Sequence, residues 1–500
     1  MKRLLVTVAA LALSAGCGST VQPQQLAGGG TSVAGSTDSG LSAPGVTPQG
    51  AVQPGATADG VGGAAPVTAG NSAASGSRAS AVPQTTGGIP LTRNGVKGPL
   101  KIGIAYINNQ QASAALGTND PRTNSVKTVV EAFVRGLNAQ GGLDGRTIVP
   151  VEYEWHSGDG SWSTAAATAC AKFTQDNHVS VVLDEAFGTI GGFRDCLQRA
   201  NVFDITNQSV GDDVSSSQAP LHAGVGSLTF DRTYGAVLQQ EVRSGYLSAK
   251  NHLGIIVEGC AENERAYSRT LVPMIRGLGL PDPKTYSFDC VDSTAAGAGS
   301  GQAAISNAIL RFRQPPVVDR VMFVSTDEAA ALLLFGVSAS SQNYHPGYLL
   351  SSSGEAHLAP EKGSGFPSDQ LPQIHGVGNM PTNDVSNAKL LPVDKRCLAL
   401  IRPVGVVPAN YDDIGQALFS CGPFLLLEAA LKQAHGDASA AALAPAVASL
   451  GSSVAAPGIL GGATRYTASD RDGGDLVQTF SYFANCGCIR YTGNPVPINR

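Results

Sequence analysis

The chain is poor in charge and in aromatic side chains. Of its 500 residues 14% are Asp, Glu, Lys or Arg, and 6% are Phe, Trp or Tyr, with only two tryptophans, Trp155 and Trp162. Formal net charge is −5 and no basic block occurs, so neither nucleic acid nor an anionic membrane surface is an electrostatically favoured partner. Beyond the first residues no apolar run approaches the length of a membrane span; the nearest, Ala329 to Val337, is too short. Catalytic signatures are missing too: there is no G-x-S-x-G elbow, no P-loop, no H-E-x-x-H, and no G-x-G-x-x-G between a first strand and its helix. The eight histidines scatter. His156 stands beside Ser157 and Asp159 in sequence only, whereas triads are assembled from distant segments. Metal-site spacing is wanting as well, because the one close cysteine pair, Cys486 and Cys488, has no histidine nearby. These absences leave an enzyme little to stand on, and the expectation is no catalytic residues, no metal and no cofactor.

What is present begins at the N-terminus. Lys2 and Arg3 precede an apolar run from Leu4 to Leu13, small residues follow, and Cys17 ends the segment. That order is a secretory signal with its cleavage region. Ser14-Ala15-Gly16-Cys17 resembles the lipobox of bacterial lipoproteins, with Ser14 where that motif prefers Leu, and the resemblance implies acylation of Cys17. The alternative is an ordinary secreted chain cleaved nearby. From Gly18 to Lys97 the chain is mostly Gly, Ser, Ala, Thr, Pro and Gln, with only Asp38, Asp59, Arg78, Arg93 and Lys97 charged and no aromatic residue. Such a composition cannot bury a core and predicts a disordered tether over 18–97, whether bare or O-glycosylated. The remainder is long enough for two domains of ordinary size.

From residue 98 strands and helices alternate. Lys101 to Ile107 is β-rich, Ser125 to Asn138 has apolar residues at helical spacing, and Gly141-Gly142 closes that helix. Strands follow at 146–155, 179–184 and 202–206, with helices at 164–176 and 192–200 between them. The rhythm restarts with helices at 233–244, 267–278, 303–313 and 328–338 and strands at 253–257, 285–288, 320–324 and 347–350. Helical patterns near Lys395, at Pro423 to His435 and at Ala440 to Leu450 come next, then β-rich 476–483 and 488–491. Two doubly wound, parallel α/β units are implied.

The order of these elements, with GPLKIGIAY at 98–106, LNAQGGLDGR at 137–146, LLLEAALKQA at 425–434 and TRYTASDRDGGDLVQTFSYF at 464–483, is similar to the type I periplasmic binding proteins of the branched-chain amino acid (Leu/Ile/Val) receptor branch. The resemblance covers residues 98 to 492. It implies two Rossmann-like lobes joined by a three-crossover hinge, a Venus flytrap, with crossings near 224–228, 376–380 and 478–480. The N-terminal lobe would comprise 98–226 and 378–478, and the C-terminal lobe 227–377 and 479–500.

Ligands of open α/β sheets lie outside the carboxyl ends of the strands. The candidates are Asn108, Asn109, Ser157, Asp159, Gly188, Thr189, Gly191, Asn207, Gln208 and Ser209 in the first lobe. The second offers Glu258, Glu262, Tyr267, Thr326, Asp327, Ser353 and Glu355. By resemblance, Gly188 and Thr189 with Asn207 and Ser209 stand where a ligand α-carboxylate is held, just before a helix start that favours an anion, and Tyr267 matches the second-lobe aromatic. Ser268 and the stretch Cys260 to Glu264 depart from the family phrase there. Ser, Thr, Asn and Asp after a strand serve equally as helix caps, and Tyr267 equally as a core residue.

Setting Cys17 aside leaves eight cysteines, an even number in an exported chain. In a sheet of order 2-1-3-4-5 the helices carrying Cys170 and Cys196 are neighbours on one face, so these two should pair. Cys260 and Cys290 follow neighbouring parallel strands and should pair at the cleft mouth. The last four allow three connectivities, among which Cys397 with Cys421 and Cys486 with Cys488 are preferred. The expectation is a monomeric, lipid-anchored solute-binding protein on the outer face of the cytoplasmic membrane. It would capture a small, amino acid-like solute for an ABC permease; the alternative is a ligand sensor or surface-interaction module on the same scaffold.

Overall fold

The computed structural model describes residues 98–108, 122–156, 160–188, 190–209, 221–291, 295–382, 384 and 389–498, all inside one compact unit, 85–500. The signal segment, Cys17 and the tether lie outside the described residues, as do Asn109, Ser157, Asp159 and Thr189.

The first sheet is wholly parallel, in the order β2-β1-β3-β4-β5, with β1 at Leu100–Asn108, β2 at Ile148–His156, β3 at Val181–Asp184, β4 at Phe203–Thr206 and β5 at His222–Gly224. Between β1 and β2 runs the helix Val126–Ala139, started by Ser125, whose hydroxyl accepts the Thr128 N–H. It ends at Gly141 and Gly142, with φ of 100° and 79°. A Cβ on Gly142 would sit 1.9 Å from the Arg146 carbonyl oxygen, so this turn requires glycine.

One face of this sheet carries the helices Trp162–Ala171 and Gly191–Arg199 over a cluster that includes Trp155, Phe173, Phe187 and Phe193. On the other face Val126–Ala139 is joined by three helices from the far end of the sequence, Pro392–Ile401, Tyr411–Gln433 and Ala440–Ala448. Phe133 and Phe424 meet there with ring centroids 5.9 Å apart. Tyr411–Gln433 starts well before the expected Pro423 and is long and apolar enough to cross a membrane by length and composition, but 67% of its apolar window is buried within the protein.

The second sheet has the order β12-β11-β10-β9-β8-β6-β7. Its parallel part comprises β6 (Leu253–Gly259), β7 (Lys284–Asp289), β8 (Arg320–Val324), β9 (Gly347–Ser351) and β10 (His375–Gly378). The closing hairpin of β11 (Leu476–Phe483) and β12 (Cys488–Pro497) adds to β10 antiparallel. Two separate cores flank this sheet, one built around Phe230, Ile255 and Leu271 and one around Phe312, Phe335 and Tyr348. The architecture is thus two α/β lobes of mainly parallel sheet.

Sulfur–sulfur bonds join Cys170 to Cys196, Cys260 to Cys290, Cys397 to Cys421 and Cys486 to Cys488. The first links the helices Trp162–Ala171 and Gly191–Arg199. The third links Pro392–Ile401 to Tyr411–Gln433.

Candidate functional site

The chain leaves the first sheet at the carboxyl end of β5 and the second at the carboxyl end of β10, so the carboxyl ends of both sheets border the passages between lobes. Those passages are pinned to one another. The Asn379 side-chain amide donates to the Gly226 carbonyl at 2.8 Å, and the Gly226 N–H donates to the Asp472 carbonyl at 2.8 Å. The Ser352 hydroxyl oxygen accepts the N–H groups of Asn379 and Met380 at 3.0 and 3.1 Å. Arg232 pairs with Asp472 and, at 3.0 Å, with Asp470. A cavity of about 10 Å³ between Leu228, Ser352 and Asn379 has room for one water. A larger space of about 180 Å³ lies along Asp231, Gln239, Thr270 and Met274 on the flank of the second lobe.

In the first lobe the loops after β3 and β4 interlock. The Gly188 N–H donates to Gln208 Oε1 at 3.0 Å, and Gln208 Nε2 donates to the Glu185 carbonyl at 3.1 Å. A Cβ on Gly188 would meet Thr206 Oγ1 at 2.6 Å, so the two loops approach as closely as glycine permits. Asn207 is 3% exposed; its amide donates to the Phe419 carbonyl at 3.0 Å, and its own carbonyl accepts the Ser227 hydroxyl. Ser209 is 8% exposed, and its hydroxyl finds no partner among the described residues. Asn108 is held by Glu154 at 3.0 Å.

Glu185, which the sequence reading passed over, lies at the centre of this lobe's carboxyl end. The Ser420 hydroxyl donates to Glu185 Oε2 at 2.8 Å, Gln416 donates to Ser420 at 3.0 Å, and Arg122 donates to Gln416 at 2.6 Å. Burial pushes its carboxyl up to about 8, the Ser420 hydroxyl opposes the shift, and the charge of Asp184 adds to it. Glu185 is therefore held largely unionised at neutral pH. Its position directly after a strand of four buried residues was the signal available in the sequence.

The second lobe's carboxyl end is tied together by Glu258. Its Oε2 accepts the Ser325 hydroxyl at 2.8 Å and the Thr326 N–H and hydroxyl at 3.0 and 2.8 Å, while Oε1 accepts the Val291 N–H at 3.1 Å. Thr326 is thereby committed to Glu258. Asp327 caps the helix Glu328–Ser341 by accepting the Ala330 N–H at 2.9 Å. Glu328 accepts the Ser351 N–H at 2.8 Å, and burial raises its carboxyl to about 7. Glu262 stays half-buried in the short helix Ala261–Arg265. Tyr267 is not brought to the carboxyl end: its hydroxyl bonds Thr285 near the start of β7 at 2.7 Å, and its ring packs against the core.

Neither a family model nor a curated protein matches this sequence. Solved structures do. A possible leucine/isoleucine/valine-binding protein from Rhodopirellula baltica superposes with a TM-score of 0.55 at 13% identity, covering 79% of this chain and 96% of that one. A fatty acid ABC transporter substrate-binding protein from Thermomonospora curvata gives 0.55 at 16% identity, covering 81% and 94%. A branched-chain amino acid ABC transporter structure from Thermus thermophilus with bound valine gives 0.56 at 12%, covering 80% and 97%. The fold is that of the type I periplasmic binding proteins, two α/β lobes joined by crossing segments.

Proposed function

We propose that this chain is the extracytoplasmic solute-binding component of an ABC-type importer, acting as a monomer and without catalysis. It captures a small polar, amino acid-like solute between its lobes, and an acylated Cys17 with the 18–97 tether anchors it to the outer face of the cytoplasmic membrane. The observation that carries this reading is the arrangement after β3 and β4. The Gly188 N–H in the loop after β3 carries the side-chain amide oxygen of the chain's own Gln208, and Ser209, the next residue of the loop after β4, keeps a buried hydroxyl with no partner among the described residues. A ligand carboxylate replaces the Gln208 oxygen there, receiving the same donor and, in addition, the Ser209 hydroxyl. The superposed structures include proteins named for leucine, isoleucine and valine, for branched-chain amino acids with valine bound, and for fatty acid, ligands that all carry a carboxylate. In the second lobe Thr326 and Asp327 are already engaged, and Glu262 is the acid assigned here to a ligand amine.

Native mass spectrometry of the purified protein, followed by a metabolite thermal-shift screen, tests the reading. A carboxylate-bearing solute is expected to stabilise the fold by RT ln(1 + [L]/Kd) and to compact it in solution scattering by hinge closure. A library that produces neither effect overturns it.

A further inference from the structure

Outside that site, three side chains with metal-binding chemistry converge where the lobes meet. His357 belongs to the short turn Ala356–Leu358 after β9, Glu361 follows one turn later, and Asp412 is in the first turn of the helix Tyr411–Gln433. One ligand atom from each, an imidazole nitrogen and two carboxylate oxygens, all lie within 4.8 Å of one another. The three come from different lobes. Ala356 and Ala359 are packed in the core of the second lobe, whereas Ala417, Leu418 and Cys421 on the Asp412 helix are packed in the core of the first.

We propose that His357, Glu361 and Asp412 form a site for a divalent first-row transition ion of the zinc type, which ties the two lobes together. One imidazole and two carboxylates match the nitrogen and oxygen ligands of zinc, held at about 2.0–2.2 Å. Tetrahedral geometry at that radius separates ligand atoms by about 3.4 Å, so binding has to draw the three atoms in from a spread of up to 4.8 Å. A fourth position stays open to water or to a ligand. The charge balances as well, two carboxylates against a dication.

The other acids near this helix start are already engaged. Asp413, next to Asp412, is used as an acceptor for the N–H groups of Thr123, Asn124 and Ala409, at 2.8, 3.2 and 2.9 Å. Asn410 caps the helix by accepting the Asp413 N–H at 2.8 Å. The helix N-terminus is thus closed by its own caps. The nearby Asp384 is neutralised by Arg490 at 2.5 Å. A metal held at this place draws His357 and Glu361 toward Asp412 and favours the closed arrangement of the lobes.

The test uses the full-length protein stripped with chelator and titrated calorimetrically with Zn²⁺ alone. One ion per chain is expected. His357→Ala, Glu361→Gln and Asp412→Asn should each weaken binding by about tenfold or more, with unfolding in chelator unchanged. The cross-lobe character is read from scattering, where Zn²⁺ should compact the wild type and leave Asp412→Asn unaffected. Absence of binding to the wild type, or undiminished binding in Asp412→Asn, overturns the proposal. Should a variant fail to fold, the Co²⁺ spectrum of the wild type decides: intense tetrahedral bands are expected, and the weak spectrum of aqueous Co²⁺ overturns it.

Discussion

The side-chain amide of Asn207 donates to the backbone carbonyl of Phe419 at 3.0 Å, across 212 positions of sequence. The reason lies four residues further along the same helix. Pro423 sits inside Tyr411–Gln433; it has no N–H to offer the Phe419 carbonyl, and Asn207 supplies the missing donor. Asn207→Ala should therefore cost about 1–3 kcal/mol by leaving a carbonyl unpaired. In a Pro423→Ala background, where the helix makes its own bond, the same change should cost clearly less. Urea unfolding of the four proteins of this cycle measures the coupling; equal costs in both backgrounds would sink the explanation.

On the proposed reading, Gln208 is a stand-in for the ligand. Its amide oxygen occupies the Gly188 N–H that the proposed solute carboxylate would have to reach. A solute must first displace an intramolecular hydrogen bond of net worth about 0.5–1.5 kcal/mol, so Gln208→Ala should tighten carboxylate binding by up to about tenfold. Calorimetry with the solute identified from the native protein checks this. Weaker binding in the variant would mean that Gln208 contacts the ligand rather than competing with it.

The strand–helix alternation was legible because buried parallel strands such as Val181 to Asp184 read as continuous apolar runs between helical patterns. Less legible were β5 and β10. They are three and four residues long, contain His and Gly, and owe their strand state to partners on neighbouring strands rather than to their own side chains. Pro423 looked like a helix start because prolines favour that place; the rescue of its helix by Asn207 is a tertiary contact that no local pattern encodes. The candidate site was legible as a list of residues after strands. Which of them were spent on caps and bracing, as Asp327, Thr326 and Tyr267 are, depended on partners at Ala330, Glu258 and Thr285.

Stability should fall as pH rises from about 4.5 to 8. Burial raises Glu185 and Glu241 to about 8 and Glu328 to about 7, and these carboxyls outweigh the opposite effect of the buried His222 and His357, which burial lowers. The folded state therefore holds protons that the unfolded chain has released. The stability these protons confer is complete below the unfolded carboxylate range and is lost as pH climbs through the folded values. Each retained proton contributes a slope of about 1.4 kcal/mol per pH unit. Denaturant unfolding across this window should show the decline, and Glu185→Gln, which removes one of these carboxyls, should flatten it. A stability rising between these limits would contradict the burial argument.

Cys17→Ala should move the protein from the membrane fraction to the soluble extracytoplasmic fraction, because the proposed acyl chains on this residue would contribute about 0.8 kcal/mol per buried methylene. Detergent partitioning measures it. A variant that still partitions with detergent would show that the chain is held by something other than Cys17.

The final prediction concerns the second lobe's mouth. The last matched pair of β6 and β7 is Gly259 opposite Asp289, which sets Cys260 and Cys290 face to face with Cα atoms 4.6 Å apart. β7 is the edge strand of its sheet, with no second neighbour to hold its end. Two links fasten that end to β6: the disulfide, and the Val291 N–H donating to Glu258 at 3.1 Å. The bond closes a loop across 30 positions, for which chain entropy gives about 3–4 kcal/mol. Cys260→Ser with Cys290→Ser should lower stability by that order. Once the disulfide is gone, Glu258→Gln should cost more than it does in the wild type, since the Val291 contact then fastens the strand end alone. Thermal unfolding of the wild type, the double serine variant and each with Glu258→Gln reads both effects. An unchanged midpoint in the serine variant would show that β7 is held by its ladder with β6 and that the disulfide adds nothing.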